Sequence, residues 1–186
     1  MPVVVGKPDE QTPVMAGLIR YAVVRPYWNV PPDLVRDSIA PKVLSAGLSY
    51  FTSKNFEILS DWSDNAVVVD PATIDWSQVA AGEQQLRVRQ RPGPDNMMGA
   101  VKFMFPNTLG VYLHDTPIKA LFDERQRTFS SGCVRLKDAR LLGLWLFGRP
   151  VDQAASADGP EQPVALTAPV PVYIVYLTAD PKPGGL

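Results

Sequence analysis

The sequence predicts a mainly β fold, a sandwich or barrel with a few helices, and three observations carry that expectation. Nineteen prolines and thirteen glycines cut the 186 residues into short pieces. The pieces are rich in Val, Ile, Tyr and Phe, which suit a pleated, half-buried surface. Only two stretches place apolar residues at helical spacing. At 46% hydrophobic the chain is long enough to close one core, so residues 1–186 are expected to form a single domain.

The strands expected in order are Pro2–Val5, Leu18–Val24, Ala66–Val69, Leu86–Gln90, Val101–Phe105, Val111–His114 and Pro171–Thr178, each an apolar run bounded by turn residues. Asp33 is positioned to cap a helix over Leu34–Leu44, with Leu34, Val35, Ile39, Val43 and Leu44 near one face and Pro41 kinking or splitting it. Asp138 is positioned to cap a second helix, Ala139–Phe147, whose Leu142, Trp145 and Leu146 form the expected buried face and which Gly148 and Pro150 stop. Gly47–Pro92 turns polar and irregular, with Trp62 and Trp76 as large apolar anchors. It reads as an insertion able to fold over a site as a cap, or as a plain surface excursion. After Pro150 the run DQAASADGPEQP reads as a mobile loop. No internal repeat is present.

Eighteen Lys plus Arg against nineteen Asp plus Glu leave a net charge of −1, which supplies no general field for nucleic acid. No apolar run approaches the ~20 residues of a membrane span, the longest being Leu141–Phe147. A lone cysteine excludes an internal disulfide scaffold. The opening Met-Pro-Val-Val-Val lacks the basic start and long apolar core of a secretion signal. Because it reads directly as a strand, the chain is expected to be part of a longer protein. No His or Cys cluster suits zinc and no Gly-rich loop suits a phosphate, so neither a metal nor a nucleotide cofactor is expected.

The chain's one histidine and one cysteine fall in a single compact stretch, VYLHDTPIKALFDERQRTFSSGCVRL. His114 ends an apolar run, and Cys133 follows nineteen positions later behind a Ser-Ser-Gly turn. A free thiol is only a few per cent thiolate at neutral pH, and an imidazole titrating near ~6.5 can take its proton during attack or hold it as an ion pair. A backbone carbonyl in the Asp115–Thr116 turn, or the Asp115 carboxylate, would fix the ring's tautomer. Gly132 leaves its own amide and that of Cys133 free to turn toward a reacting carbonyl, and Tyr112 shares a strand face with His114. Arg135 is placed for a substrate carboxylate, with Ser130 and Ser131 as further contacts. Each residue also has an ordinary reading: Cys133 as a small core residue, His114 and Tyr112 as packing groups, Arg135 in solvent. A structural cysteine needs no preceding Ser-Ser-Gly turn, and apolar packing does not call for a polar His-Asp-Thr-Pro turn upstream of it. Arg87, Arg89 and Arg91 alternate on one strand, and a solvated strand face is expected there rather than an anion site.

These residues resemble the L,D-transpeptidases of bacterial cell-wall synthesis, the YkuD type. That family's signature is a strand-ending His, then a Ser/Thr-His-Gly-Cys turn followed by an apolar residue and Arg or Asn. Here it reads His114 and Ser130-Ser131-Gly132-Cys133-Val134-Arg135. The segments VVVGKPDEQTP, PYWNVPP, LRVRQRPGPDN, VKFMFPN, VYLHDTP and PVYIVYLTA resemble the larger Gram-negative members that carry a capping insertion, here Gly47–Pro92. Ser131 stands where many relatives have a second histidine, and the family continues on both sides of this chain.

The resemblance implies Cys133 as acylated nucleophile, His114 as base, the Asp115 carbonyl orienting the ring, and the Gly132 and Cys133 amides with Tyr112 as oxyanion donors. It implies peptidoglycan stem peptides as donor and acceptor, release of D-alanine, a thioester and 3→3 cross-links. Carbapenem-type β-lactams would be covalent inhibitors and the periplasm the working compartment. Two other outcomes stay open: water resolves the acyl-enzyme, giving an L,D-carboxypeptidase or cross-link hydrolase, or the domain binds the wall without catalysis.

Overall fold

The computed structural model describes residues 1–151, 159 and 161–177. Their strands form two sheets, and the mainly β fold expected from the sequence is the one observed. The larger sheet contains β1 (Val3–Gly6), β2 (Met15–Val24), β7 (Val101–Met104), β8 (Leu113–His114), β9 (Thr128–Ser130), β10 (Val134–Leu136) and β11 (Gln162–Ile174). Its order is β11-β2-β7-β8-β10-β1-β9, antiparallel except for the parallel pairs β8/β10 and β1/β9. The smaller sheet contains β3 (Trp28–Val30), β4 (Phe56–Leu59), β5 (Val68–Val69) and β6 (Arg87–Gln90), in the order β3-β6-β4-β5.

Alternation along the central strands decides what each face of the larger sheet does. Val101, Phe103, Leu113, Val134 and Leu136 point to one side, where they join Ile19, Ala22, Val24, Phe105 and Ala139 in an aliphatic core. Full burial of such side chains contributes about 1.5–3 kcal/mol each. Tyr112, His114, Cys133 and Arg135 are the alternate positions and rise from the opposite face. The core therefore holds the strands that carry the polar row.

A second core belongs to the smaller sheet. Phe51 contacts Phe56 and Trp76 with ring centroids 5.4 and 5.3 Å apart, and Val30, Val35, Ile39, Val43, Ile58, Val79 and Val88 fill the space around them. This cluster starts at Trp28–Val30, ahead of the stretch that reads as polar in sequence. Within that stretch short elements are closed by side chains. Asp75 accepts hydrogen bonds from the Ser77 and Gln78 amides at the start of α4 (Trp76–Ala81), and Gly82 ends the helix at φ 79°. Trp76 is buried as expected, whereas Trp62 is 62% exposed and serves as a ring beneath Arg87.

Several local expectations need correction. The helix expected over Leu34–Leu44 begins at Pro32, and Asp33 sits inside its first turn rather than capping it. The run divides into α1 (Pro32–Leu34), a π-turn over Val35–Ile39 and α2 (Ala40–Ala46), followed by α3 (Leu48–Ser53). Pro41 has no N–H to give, and the wider turn, in which the Ala40 N–H reaches Val35 O, accommodates it without breaking the path. Helix α5 (Ala139–Phe147) has the expected Asp138 cap and Gly148 stop, but Trp145 is 72% exposed. Its inner face is Ala139, Leu142, Gly143 and Leu146. Gly143 lies so close to Val151 and Phe103 that a Cβ there would sit 2.9 Å from Val151, and this contact fixes the helix rotation.

The last strand begins earlier than its apolar run suggests. β11 pairs with β2 from Gln162↔Val24 to Ile174↔Met15, with a register shift between Ala165 and Val170. Pro163, Pro169 and Pro171 disguise it in sequence, yet at a sheet edge their missing N–H groups cost little. Thr178 and most of the stretch after Pro150 that reads as a mobile loop lie outside the described residues. No helix among those described is long and apolar enough to cross a membrane.

Candidate active site

The parallel β8/β10 pairing, Val134 opposite Leu113 and Arg135 opposite His114, brings the histidine and the cysteine together. Cys133 precedes β10 and so stands level with Tyr112, one diagonal step from His114 on the same face. Both line a cavity of about 270 Å³ with Tyr112, Ser130, Ser131 and Arg135. Its far wall is Trp28, Pro31 and Leu34, from the segment entering the smaller sheet, with Met97 and Met98.

The His114 ring is 2% exposed, and its Nδ1 lies 2.5 Å from the Asp115 carbonyl oxygen. A carbonyl only accepts, so Nδ1 carries the proton and the lone pair is on Nε2. Of the two orienting groups open to sequence reasoning, the carbonyl is the one used. The Asp115 carboxylate is occupied elsewhere, accepting from the Ala100 N–H at 2.9 Å and from Lys119 Nζ at 2.5 Å. Gly99, at φ 62°, makes room for it, since a Cβ there would stand 2.5 Å from the carboxyl carbon.

Burial pushes the imidazole down to about 4, helped by the positive charges of Arg135 and Lys102 and opposed by the Asp115 carbonyl. Burial pushes the Cys133 thiol up, while a backbone hydrogen bond from Tyr112 and the Arg135 charge pull the other way. The resting pair is therefore a neutral ring and a protonated thiol, not an ion pair. The Cys133 thiol points to the Gly110 carbonyl at 3.7 Å. Asn107 builds the turn that presents Gly110, donating to Phe105 O and Val111 O and accepting from the Leu109 and Val111 amides.

The Ser-Ser-Gly turn is held from both sides. The Ser130 hydroxyl donates to the Cys133 carbonyl at 2.6 Å, so this buried side chain closes the turn while also facing the cavity. The Lys7 N–H donates to Ser130 O, and Ser131 holds the nearby Glu10 carboxyl below its ordinary pKa, so the Lys7–Pro13 loop braces the turn. Gly6 lets that loop close, because a Cβ would meet Glu10 O at 2.0 Å. Gly132 adopts φ 104°, a conformation that any side chain would strain. Its amide and that of Cys133 are not among the donors that close the turn.

Tyr112 stands edge-on to His114 with centroids 5.9 Å apart, and burial raises its hydroxyl's pKa well above the ordinary value. Arg135 is half-buried, its Nε wholly so and without a hydrogen-bond partner. Burial lowers its pKa. An uncompensated guanidinium facing a cavity is poised for an anion. Arg87 and Arg89 differ from the solvated face expected, whereas Arg91 is exposed as expected. Arg89 pairs with Glu57 at 2.8 Å with both side chains largely buried, Arg91 approaches Glu57 at 3.5 Å, and Arg87 donates to the Asp61 and Ser63 carbonyls. Among the described residues no group of three or more His, Cys, Asp or Glu is arranged to hold a metal ion.

Sequence reasoning missed Gly110, Lys102 and the Trp28, Met97 and Met98 wall. The KFMFPN and RPGPDN segments held the clue. Asn96 is 1% exposed and bonds the Gln90 and Arg91 carbonyls and the Met98 amide, which sets both methionines in the cavity wall.

A buried imidazole of fixed tautomer and a thiol that line one cavity make a candidate cysteine-histidine site, the pairing that acyl transfer uses. The family model of the YkuD L,D-transpeptidase catalytic domain matches residues 1–165, and the chain belongs to that family. A Haemophilus influenzae protein named "Putative L,D-transpeptidase" is 36% identical over 184 residues, which cover 95% of this chain and 36% of the relative. The chain thus spans about a third of the length of the curated relative it matches.

Proposed function

We propose that this domain is a peptidoglycan L,D-transpeptidase that forms 3→3 cross-links through a thioester on Cys133. The observation that carries the reading is the imidazole whose Nδ1 is locked by the Asp115 carbonyl, leaving Nε2 as the base in the cavity shared with Cys133. His114 Nε2 takes the thiol proton as sulfur attacks the carbonyl of the third stem residue. The Gly132 and Cys133 amides, with the Tyr112 hydroxyl, stabilise the oxyanion, each donor being worth on the order of 3 kcal/mol. Collapse expels the terminal D-alanine, whose amine takes the proton back from His114. The side-chain amine of a second stem then attacks the thioester, gives its proton to His114 and leaves a cross-link and the free thiol.

Arg135 receives a carboxylate of the stem, and Ser131 and Ser130 border the same space. Residues 47–92 act as a cap, with Trp28, Pro31 and Leu34 at its root closing one side of the cavity. The working compartment is the periplasm, where the substrate lies, and carbapenems acylate the same sulfur.

The test is intact-protein mass after exposure to imipenem. A single adduct that disappears in Cys133→Ala supports the reading, and a folded protein that gains no mass overturns it. Stem peptides incubated with the protein yield dimers if an amine resolves the thioester. Shortened monomers alone would instead make the domain a carboxypeptidase or cross-link hydrolase.

A further inference from the structure

Register on the larger sheet places two cations on either side of the imidazole. Lys102 of β7 is opposite His114, and Arg135 of β10 is opposite it on the other side, so the three side chains form one row across three strands. The Asp115 N–H donates to Val101 O, which makes 101/115 a hydrogen-bonded pair and the neighbouring 102/114 a non-hydrogen-bonded one. Side chains of such pairs stand closest, with Cα atoms about 4.5 Å apart. The Lys102 side chain is 13% exposed, so its charge acts in a poorly solvated setting.

Lys102 does not stand alone. Glu161, one residue ahead of β11, reaches across the end of β2 to place Oε1 2.6 Å from Lys102 Nζ, and its backbone N–H is tied to Arg25 O. We infer that Lys102, held by Glu161, is a positioning residue for the His114 ring: the pair sets how much positive charge stands beside the imidazole. Among the described residues, the charged and titratable groups around that ring are Lys102 from β7, Arg135 and Cys133 from the β10 side, Tyr112 and Asp115 from its own segment, with Lys119 on the Asp115 carboxylate and Glu161 behind Lys102. Of the two flanking cations, one is neutralised by a built-in carboxylate and the other, Arg135, is left for a ligand. Burial keeps the ring neutral at rest, and a second uncompensated cation beside it would make it a still poorer base.

This inference rests on the reading of His114 as the base, but its test does not require turnover. His114 is the chain's one histidine, so a histidine-labelled sample of the full chain gives the NMR signals of one ring. The imidazolium fraction is read at pH 5 in folded protein. Lys102→Met leaves Glu161 unopposed and raises that fraction. Glu161→Gln frees the ammonium and lowers it. The two titrations move in opposite directions by on the order of half a pH unit. Lys102→Arg retains the parent titration and shows that loss of charge, rather than misfolding, moves Lys102→Met. Shifts of the same sign in the Met and Gln variants, or no shift in either, would overturn the assignment. Failure of imipenem labelling with these shifts intact would refute the proposed function and leave the electrostatic pair standing.

Discussion

On the smaller sheet, Arg87 and Arg89 of β6 and Arg91 just beyond it are each engaged by a carboxylate or by backbone carbonyls, with Tyr27 and Trp62 stacked beneath two of them. On the larger sheet, Lys102 and Arg135 flank His114. Lys102 has Glu161, whereas Arg135 keeps a buried Nε without a partner. The first arrangement lowers the cost of burying cations and holds β4 to β6. The second leaves a half-buried cation with a buried, unpartnered Nε, which costs stability and fits the proposed role of Arg135 in receiving a carboxylate. Stability and recognition are thus separated between two sheets of one chain.

The sharpest way to break this contrast is at the base. His114→Ala is expected to slow acylation of Cys133 by a carbapenem by 2–4 decades, on the order of 3–5 kcal/mol in barrier, read from the rate of adduct formation. An unchanged rate would remove His114 from the chemistry and leave the larger sheet with no special role.

The next effect is on stability. His114 titrates at about 4 in the fold against an ordinary 6.5, so only the unfolded chain takes up a proton between these values. The contribution of the neutral buried ring is complete above pH 6.5 and is lost as pH falls toward 4, amounting to about 3 kcal/mol. Urea unfolding at pH 7 and pH 4.5 should therefore show a smaller drop for His114→Gln than for the parent. An equal drop in both would place the acid sensitivity elsewhere.

A paired substitution probes the contrast itself. Arg135→Met is expected to leave unfolding free energy unchanged or higher, because an unpaired buried cation is removed, while KM for a carboxylate-bearing stem peptide rises 10- to 50-fold, about 1.5–2.5 kcal/mol. Arg89→Met is expected to lower stability by about 1 kcal/mol, with Arg91 still beside Glu57, and to leave KM alone. If Arg135→Met destabilises as Arg89→Met does, the two sheets do not differ in the way argued.

The chemistry of the site was more legible in the sequence than its framework. A single His and a single Cys behind a Ser-Ser-Gly turn name the reacting groups, and a positive φ at Gly132 is what that turn needs. The Asp138 cap and Gly148 stop of α5 were equally readable, because capping is local. Of the strands that bring the pair together, β8 was readable as the end of Val111–His114, whereas β10 was not. β9 and β10 have three residues each, too short for alternation to register, and their parallel partners, β1 and β8, are not their neighbours in chain order. Trp28–Val30 and Phe56–Leu59 hide for the same reason. Trp145 reads as core because its spacing fits, yet the close approach of Gly143 to Val151 turns it outward, a constraint set by tertiary packing. Lys102 is an ordinary strand lysine until register sets it opposite the only imidazole.

Proline spacing along β11 bears on the molecule's life in solution. Among the described residues this thirteen-residue strand borders the larger sheet, with its own Tyr173 71% exposed, and such margins invite other chains to add on. Three prolines interrupt the ladder of donors along its length, and the opposite margin, β9, is only three residues long. Among the described residues, neither border offers a long unbroken template for stacking one copy against the next.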